Sequence, residues 1–159
     1  DILVTVGGAS VGDHDLVSPV LQSRGMALDF WKIAMRPGKP LMFGKSGATF
    51  ILGLPGNPVS SLVCGQLFLA PLISRLSGQP FTQNILSARL AAPMRENDHR
   101  QDYVRAEVKD SGQGLLVSPF SVQDSSMLTT LASANCLVIR PPNAPASAAG
   151  EEVQVLMLR

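Results

Sequence analysis

Apolar residues follow two different patterns along the chain, and the change falls near residue 80. Before that point, short continuous runs rich in β-branched residues, such as 2–6 and 49–54, are bounded by Gly or Pro. Runs of this kind are typical of strands buried inside a sheet. Over residues 15–24 and 59–76 apolar positions recur every three or four residues, which predicts two helices. We therefore predict an α/β domain over residues 1–79.

From residue 80 onward, short apolar stretches are separated by clusters of Gly, Pro, Asn and Asp. This pattern predicts a small, mostly antiparallel β-barrel or sandwich over residues 80–159, with one short helix at 125–133. The predicted strands of this second domain are 85–90, 102–109, 115–118, 136–140 and 153–158.

Within the first domain, residues 27–35 are predicted to form one strand, followed by a turn through residues 36–40. Strands over 41–43 and 49–54 follow, and a hairpin turn at 44–47 joins them. Two helices are too few to cover both faces of a doubly wound sheet. Because a strand pattern also starts directly after Asp1, we expect part of this domain to lie upstream.

Composition narrows the class of protein. Hydrophobic residues make up 45% and charged residues 16%, which excludes a disordered chain. A formal net charge of +1, with no basic run, argues against nucleic-acid binding. The apolar segment at 60–76 is interrupted by Gln, Pro and Arg, so no membrane span is predicted. Cys64 and Cys136 are too few for a disulfide framework, and we expect buried free thiols in a reducing cytoplasm.

The first candidate site is the loop after the first strand, which contains Gly7, Gly8, Ser10, Gly12 and Asp15. Glycines allow backbone N–H groups to approach a ligand closely, and the following helix favours an anion. Ser10 is able to donate to a phosphate oxygen. Asp15 is placed either to hold a metal ion or water, or only to cap the helix. The spacing matches neither the Rossmann fingerprint nor a P-loop.

The second candidate site is a basic segment. If residues 32–36 form a strand, Lys32 and Arg36 share one face, and Lys39 and Pro40 follow on a turn stiffened by Pro and Gly. Three cations near a strand end predict a clamp for a polyanion. A solvated strand edge protected by charge is the alternative.

The third candidate site is the turn containing Pro55, Gly56 and Asn57, which leads to Ser60. Asn57 is a good helix cap with Pro58 at the first helical position, so a well-made strand-to-helix turn would explain the local sequence. All three candidate loops follow strands, however. In open α/β sheets ligands bind outside the carboxyl ends of strands, so we expect the three loops to converge on one cleft.

These three segments, residues 5–15, 32–40 and 53–60, occur in the order found in a known family. With a small β domain behind them, they resemble the C-terminal half of the molybdopterin molybdenumtransferases, which include MoeA-type proteins and the gephyrin E domain. Segments 102–105 and 133–136 also fit. The resemblance implies an incomplete molybdopterin-binding domain of three-layer αβα type, followed by an all-β barrel. Two further N-terminal domains would be absent, and the full-length protein would be a homodimer.

The resemblance also implies an activity. Members of this family insert molybdenum from molybdate into adenylylated molybdopterin and release AMP with the help of Mg²⁺. The chain would then be part of a cytoplasmic enzyme of molybdenum cofactor biosynthesis, with no nucleic-acid or membrane partner. We expect the isolated chain to be inactive, because other acidic residues of the site belong to the upstream part.

Residue roles follow from matching the family motifs. Asp15, Lys32 and Arg36 would be catalytic, with Asp15 also holding the metal, and Lys39, Arg105 and Ser125 would bind molybdate. Arg36 stands where many members have lysine, so a bidentate fork replaces a point charge. The positions implied to bind the pterin substrate are Gly7, Gly8, Ser10, Gly12, Lys39, Pro40, Pro55, Gly56, Asn57 and Ser60.

Other functions stay open at this point. A molybdopterin adenylyltransferase would share the α/β domain, but its relatives lack the trailing barrel. A scaffold similar to gephyrin would use this region to bind receptor peptides. An inactive remnant of the enzyme is the remaining alternative.

Overall fold

The computed structural model describes residues 1–8, 16–124 and 126–158 and divides the chain into two compact units. The first unit contains Asp1–Ile33 and Pro37–Phe81, and the second contains Ala34–Arg36 and Thr82–Arg159. The predicted fold class, α/β followed by a small all-β barrel, is confirmed. The described elements in chain order are β1 (Ile2–Val6), α1 (Val17–Ser23), β2 (Ala27–Trp31), β3 (Met35–Arg36), β4 (Met42–Ser46), β5 (Thr49–Leu54), α2 (Pro58–Cys64), a π-helical segment (Gly65–Leu69), α3 (Ala70–Leu76), β6 (Ile85–Leu90), β7 (Gln101–Asp110), β8 (Leu115–Pro119), α4 (Leu128–Ser133), β9 (Cys136–Arg140) and β10 (Glu152–Met157).

The first unit is built on a four-stranded sheet in the order β1-β5-β4-β2. Strands β1 and β5 are parallel, and the other two pairs are antiparallel. One core cluster comprises Met26, Met42 and Ile51, with side chains of α1 packed against it. Helix α2 contacts β5 and contributes the buried Val59 and Val63. Strand β5 is therefore the best-buried strand of the sheet.

Helix α2, the π-helical segment and α3 run without a break from Pro58 to Leu76. The N–H of Ala70 donates to the carbonyl of Gly65, which is the wider π spacing. Pro71 gives the reason, because proline has no N–H and its ring crowds the carbonyl four residues earlier. By length and composition alone this helix is able to cross a membrane, but apolar helices of soluble proteins share both properties, so the evidence is weak.

Two predictions about the central strands are wrong. Strand β2 ends at Trp31, whose partner in β4 is Met42, and does not continue to residue 35. Lys32 has a φ of 67°, and its N–H donates to the carbonyl of Leu41, which closes residues 32–41 into a loop. The predicted hairpin turn at 44–47 is also displaced, because Ser46 pairs with Thr49 and the turn contains only two residues.

Packing explains why Gly44 lies inside β4 rather than in a turn. A Cβ atom at this position would lie 2.6 Å from the carbonyl oxygen of Ala27, and 3.2 Å from the side chain of Met26. The glycine therefore permits the close approach of β2 and β4. In the sequence it has the same appearance as a turn glycine.

The second unit is a closed five-stranded barrel. Its strands follow the order β7-β8-β6-β10-β9, and pairing between β9 and β7 completes the circle. Strand β3 adds to β7 in parallel, through Met35 opposite Gln101 and Arg36 opposite Asp102. The predicted strands of this domain are all present, although β7 begins one residue earlier and ends one residue later than expected. The barrel core consists of Ala88, Leu90, Ala106, Val108, Val117, Cys136, Val138 and Val155.

The close approach at Gly44 yields a stability prediction. Gly44→Ala forces a methyl group against the backbone of Ala27, so we expect it to lower the free energy of unfolding by about 1–3 kcal/mol. Gly65→Ala is the matched control, because Gly65 has helical dihedral angles and open space around an added Cβ. It should leave stability unchanged or raise it by up to about 1 kcal/mol. Urea unfolding of both variants measures the difference, and equal stability would contradict the packing argument.

Candidate functional site

The loops after β1 and β5 meet at one edge of the sheet. Because these strands are parallel, with Val6 opposite Leu54, both end on the same side. The N–H of Gly7 donates to the carbonyl of Leu54 at 3.0 Å. A Cβ atom on Gly56 would lie 3.3 Å from the Cα of Gly7, so the two turns are in close contact. Gly7 and Gly8 have φ values of 81° and 71°, which other residues rarely adopt.

The parts of the next loop that belong to the first unit, residues 32–33 and 37–41, lie at the same edge. Strand β4 begins at Met42, opposite Gly53 in β5 and Trp31 in β2. Lys32 and Lys39 therefore lie on the side where β5 ends, and both are exposed. The Nζ atom of Lys32 lies 4.0 Å from the centroid of the Trp31 ring. The described parts of these loops in the first unit thus share one sheet edge, and the convergence of all three loops on one cleft stays a prediction.

The turn at residues 55–57 is also a helix start. The side chain of Asn57 accepts hydrogen bonds from the N–H groups of Val59, at 3.2 Å, and Ser60, at 3.4 Å. Ser60 is itself 6% exposed. Capping therefore accounts for the local chemistry of Asn57, while Pro55 and Gly56 shape the edge beside Gly7. Roles for these residues and Pro40 in substrate binding stay predictions.

Four predicted site residues, Ser10, Gly12, Asp15 and Ser125, lie outside the described residues. Their roles therefore stay predictions as well. Among the residues that the structure describes, no group of three or more His, Cys, Asp or Glu is placed to hold a metal ion.

Arg36 is not placed as the sequence predicts. The expected shared face with Lys32 is wrong, because β2 ends at Trp31 and Arg36 lies in β3 of the second unit. Its Nε donates to Asp102 at 3.0 Å, its Nη2 also bonds to Asp102, and its Nη1 lies 3.4 Å from Asp98. Two carboxylates thus compensate the charge of Arg36. Hydrogen bonds from Arg100, followed by weaker charge effects that include Arg36, hold the pKa of Asp98 well below its usual range.

Arg105 is a buried cation at the end of the β7–β8 ladder. It is 2% exposed, which is rare for an arginine. Its guanidinium donates to Gln123 Oε1 and to the carbonyls of Asp124 and Met127. Burial lowers its pKa, but an arginine stays protonated at physiological pH. No described carboxylate lies within ion-pair distance of it, although the charge of Asp124 acts on it and favours its protonated form.

A cavity of about 550 Å³ opens on the second unit, and the sequence did not predict it. Arg36, Asp102, Gln123 and Arg140 contribute its polar wall. Arg140 is 5% exposed and donates to Ser147 Oγ and to backbone carbonyls, while Asp102 Oδ1 is buried with no hydrogen-bond partner among the described residues. Buried charges separated widely along the chain produce no recognisable sequence signal.

Both cysteines are buried free thiols, as predicted. Burial raises the pKa of Cys64 to about 12 and that of Cys136 to about 11. Each thiol is therefore protonated near neutral pH, and neither is an activated nucleophile.

Comparison with known proteins agrees with this two-part architecture. Residues 1–75 match the family described as a probable molybdopterin binding domain, and residues 87–158 match the MoeA C-terminal region (domain IV). A molybdopterin molybdenumtransferase of Haemophilus influenzae is 35% identical over 98% of this chain and 39% of its own length. One from Bacillus subtilis is 33% identical over 100% of this chain and 37% of its own length.

A solved structure is also similar. The molybdopterin biosynthesis MoeA protein of Pyrococcus horikoshii superposes with a TM-score of 0.79 at 26% identity, over 99% of this chain and 37% of that one. The chain thus spans less than two-fifths of the length of these relatives.

The contacts of Arg36 predict an anchoring role that stability measurements test. Arg36→Ala leaves the buried carboxylate of Asp102 without its cation, which should cost about 1–3 kcal/mol of unfolding free energy. Combining it with Asp102→Asn should recover part of that loss, as a double-mutant cycle measures. Arg89→Ala, at an exposed position of the same barrel, is the control. An Arg36→Ala variant as stable as this control would contradict the anchoring role.

Proposed function

Because this chain belongs to the MoeA family of molybdenum cofactor biosynthesis proteins, we propose that it forms the C-terminal portion of a molybdopterin molybdenumtransferase. In the proposed reaction, molybdenum from molybdate is bound by the dithiolene of adenylylated molybdopterin, and AMP is released. One observation carries the proposal: two exposed lysines, Lys32 and Lys39, lie at the same sheet edge as the paired glycine turns. That edge is suited to a phosphate-bearing ligand.

The conformation of Lys32 supports a role in binding. A positive φ is unfavourable for a residue with a Cβ atom, and such strain is found most often at functional sites. Here it turns the chain out of β2 and places the ammonium group over Trp31, at the sheet edge. Lys39, whose carbonyl accepts from the N–H of Ile33 at 2.9 Å, is fixed in the same loop. The backbone of both residues is therefore held at this edge, which favours phosphate binding.

In the second unit, Arg105 is proposed to bind molybdate. Molybdate is a tetrahedral oxyanion, and the planar fork of a guanidinium matches two of its oxygens. Desolvation strengthens such hydrogen bonds. Ser125 is proposed as a further donor, as the resemblance implies.

Magnesium is proposed as the metal, with Asp15 as its ligand. When bound, a metal ion would neutralise charge on the phosphoanhydride as it is cleaved. The residues of this chain would bind and orient the two anionic substrates. We also propose that the full-length protein is a homodimer located in the cytoplasm. Acidic residues upstream of this chain are proposed to contribute to the site.

Two competing functions are less well supported. An adenylyltransferase would not need the barrel, which matches the MoeA C-terminal region over residues 87–158. A peptide-binding scaffold would not need exposed lysines at the glycine-lined edge or a buried arginine without a carboxylate partner in the described part of the chain. Titration with molybdate and with receptor-derived peptides separates the enzyme from the scaffold.

The molybdate role of Arg105 is tested in the natural full-length polypeptide that carries these residues. Arg105→Gln removes the charge, so we expect molybdate affinity by calorimetry to fall at least tenfold, or about 1.4 kcal/mol. Arg89→Gln is the control and should change affinity less than about twofold. Equal affinity of the wild type and Arg105→Gln would exclude Arg105 from the oxyanion site.

The role of Asp15 is tested by turnover. Asp15→Asn in the full-length enzyme should abolish AMP release while the enzyme still binds the nucleotide-bearing substrate, because only the charge that holds the metal is removed. Near-normal turnover of this variant would contradict the assignment. We expect no transfer by the isolated chain, and a measurable rate would show that upstream domains are not required.

A further inference from the structure

Gln123 contacts both the main chain and the side chain of Arg105. Its Oε1 accepts from the N–H of Arg105 at 3.0 Å and from Nε at 3.3 Å. Its Nε2 donates to the carbonyl of Arg105 at 3.0 Å and to that of Phe120 at 2.7 Å. Each end of the side-chain amide therefore makes two hydrogen bonds, and these fix its orientation.

Arg105 lies just past the end of the regular pairing between β7 and β8, where Gln123 replaces a strand partner. The ladder between β7 and β8 ends with Ala106 opposite Pro119, and Phe120 adds one last hydrogen bond to the carbonyl of Arg105. Beyond that point the amide of Gln123 pairs with both backbone groups of Arg105, as a neighbouring strand residue would do. The Gln123 side chain thus continues the hydrogen bonding along this edge of β7 by one residue beyond the end of β8.

The described hydrogen bonds to the guanidinium of Arg105 involve Nε and Nη1. Its Nε bonds to Gln123, and its Nη1 bonds to the carbonyls of Asp124, at 2.9 Å, and Met127, at 3.3 Å. Its Nη2 makes no hydrogen bond to any residue that the structure describes. The same contacts therefore orient the guanidinium through Nε and Nη1, and none of the described residues accepts from Nη2.

We propose that Gln123 is a positioning residue, which fixes the backbone and guanidinium of Arg105 so that Nη2 faces the bound molybdate. This inference rests on the proposed function of Arg105. It adds a residue whose sequence context, between a valine and an aspartate, gives no indication of such a role. Gln123 acts through Arg105 and is not itself proposed to contact the substrate.

A matched control, Asn135, contacts the same strand, β7. Asn135 Oδ1 accepts from the N–H of Val108 at 2.8 Å, and its Nδ2 donates to the carbonyl of Val108 at 2.8 Å. This is the same pairing of a side-chain amide with the backbone of β7, three residues further along. Asn135 makes no described hydrogen bond to the guanidinium. Removing either amide disturbs the barrel, but only Gln123 is linked to the orientation of Arg105.

The test compares Gln123→Met, Gln123→Glu and Asn135→Leu in the natural full-length polypeptide, with molybdate as the calorimetric probe and thermal unfolding as the second measurement. Gln123→Met keeps the side-chain length and loses the amide, so we expect binding to weaken about tenfold, equivalent to about 1.4 kcal/mol. Gln123→Glu keeps the acceptor but pairs a carboxylate with Arg105, and should weaken binding at least as much. Asn135→Leu should lower the unfolding temperature while affinity stays within about twofold.

The outcomes separate this inference from the function on which it rests. If the wild type binds molybdate and Gln123→Met binds it within twofold, the positioning role is overturned and the oxyanion site stands. If molybdate affinity falls in step with the unfolding temperature across all three variants, Gln123 only stabilises the barrel, and the inference is again overturned. If the wild type does not bind molybdate, both the proposed function and this inference fail.

Discussion

The parallel pairing of β1 with β5 is the constraint on which the first unit depends. Parallel strands end on the same side of a sheet, so the turns that follow them are neighbours. The hydrogen bond from Gly7 to Leu54 and the contact between Gly7 and Gly56 are direct results. The antiparallel hairpin of β4 and β5 then returns the chain to the same edge, where the loop at 32–41 begins and ends. Distant segments are therefore brought together by backbone geometry.

The second unit accommodates its arginine charges in two different ways. Arg36 is paired with the carboxylate of Asp102, so its positive charge is compensated within the protein. Arg105 and Arg140 instead donate to carbonyl, amide or hydroxyl oxygens, which satisfy their N–H groups without cancelling their charge. A buried arginine of the second kind is costly unless an anion also binds. This difference is the physical reason for proposing an oxyanion ligand near Arg105 and an anchoring role for Arg36.

Several features could be predicted because they depend on local chemistry. The β-branched run identified strand β1, and the Asn57 cap identified the start of helix α2. The change of pattern near residue 80 distinguished the α/β domain from the β domain. The end of β2 could not be predicted, because apolar residues continue past Trp31 while the backbone turns at Lys32. Gly44 was interpreted as a turn residue, although close packing against Ala27 is what requires a glycine there.

The sequence by itself determined the fold class, the family resemblance and the set of candidate ligand-binding loops, because these depend on periodicity and on motifs of neighbouring residues. Only the tertiary structure determined which arginine side chains pair with a carboxylate and which are buried without one. It placed Arg36 beside Asp102, buried Arg105 and paired Gln123 with it across 18 positions of the chain. Such contacts arise from strand register and barrel closure, which depend on the packing of the whole unit and leave no local pattern.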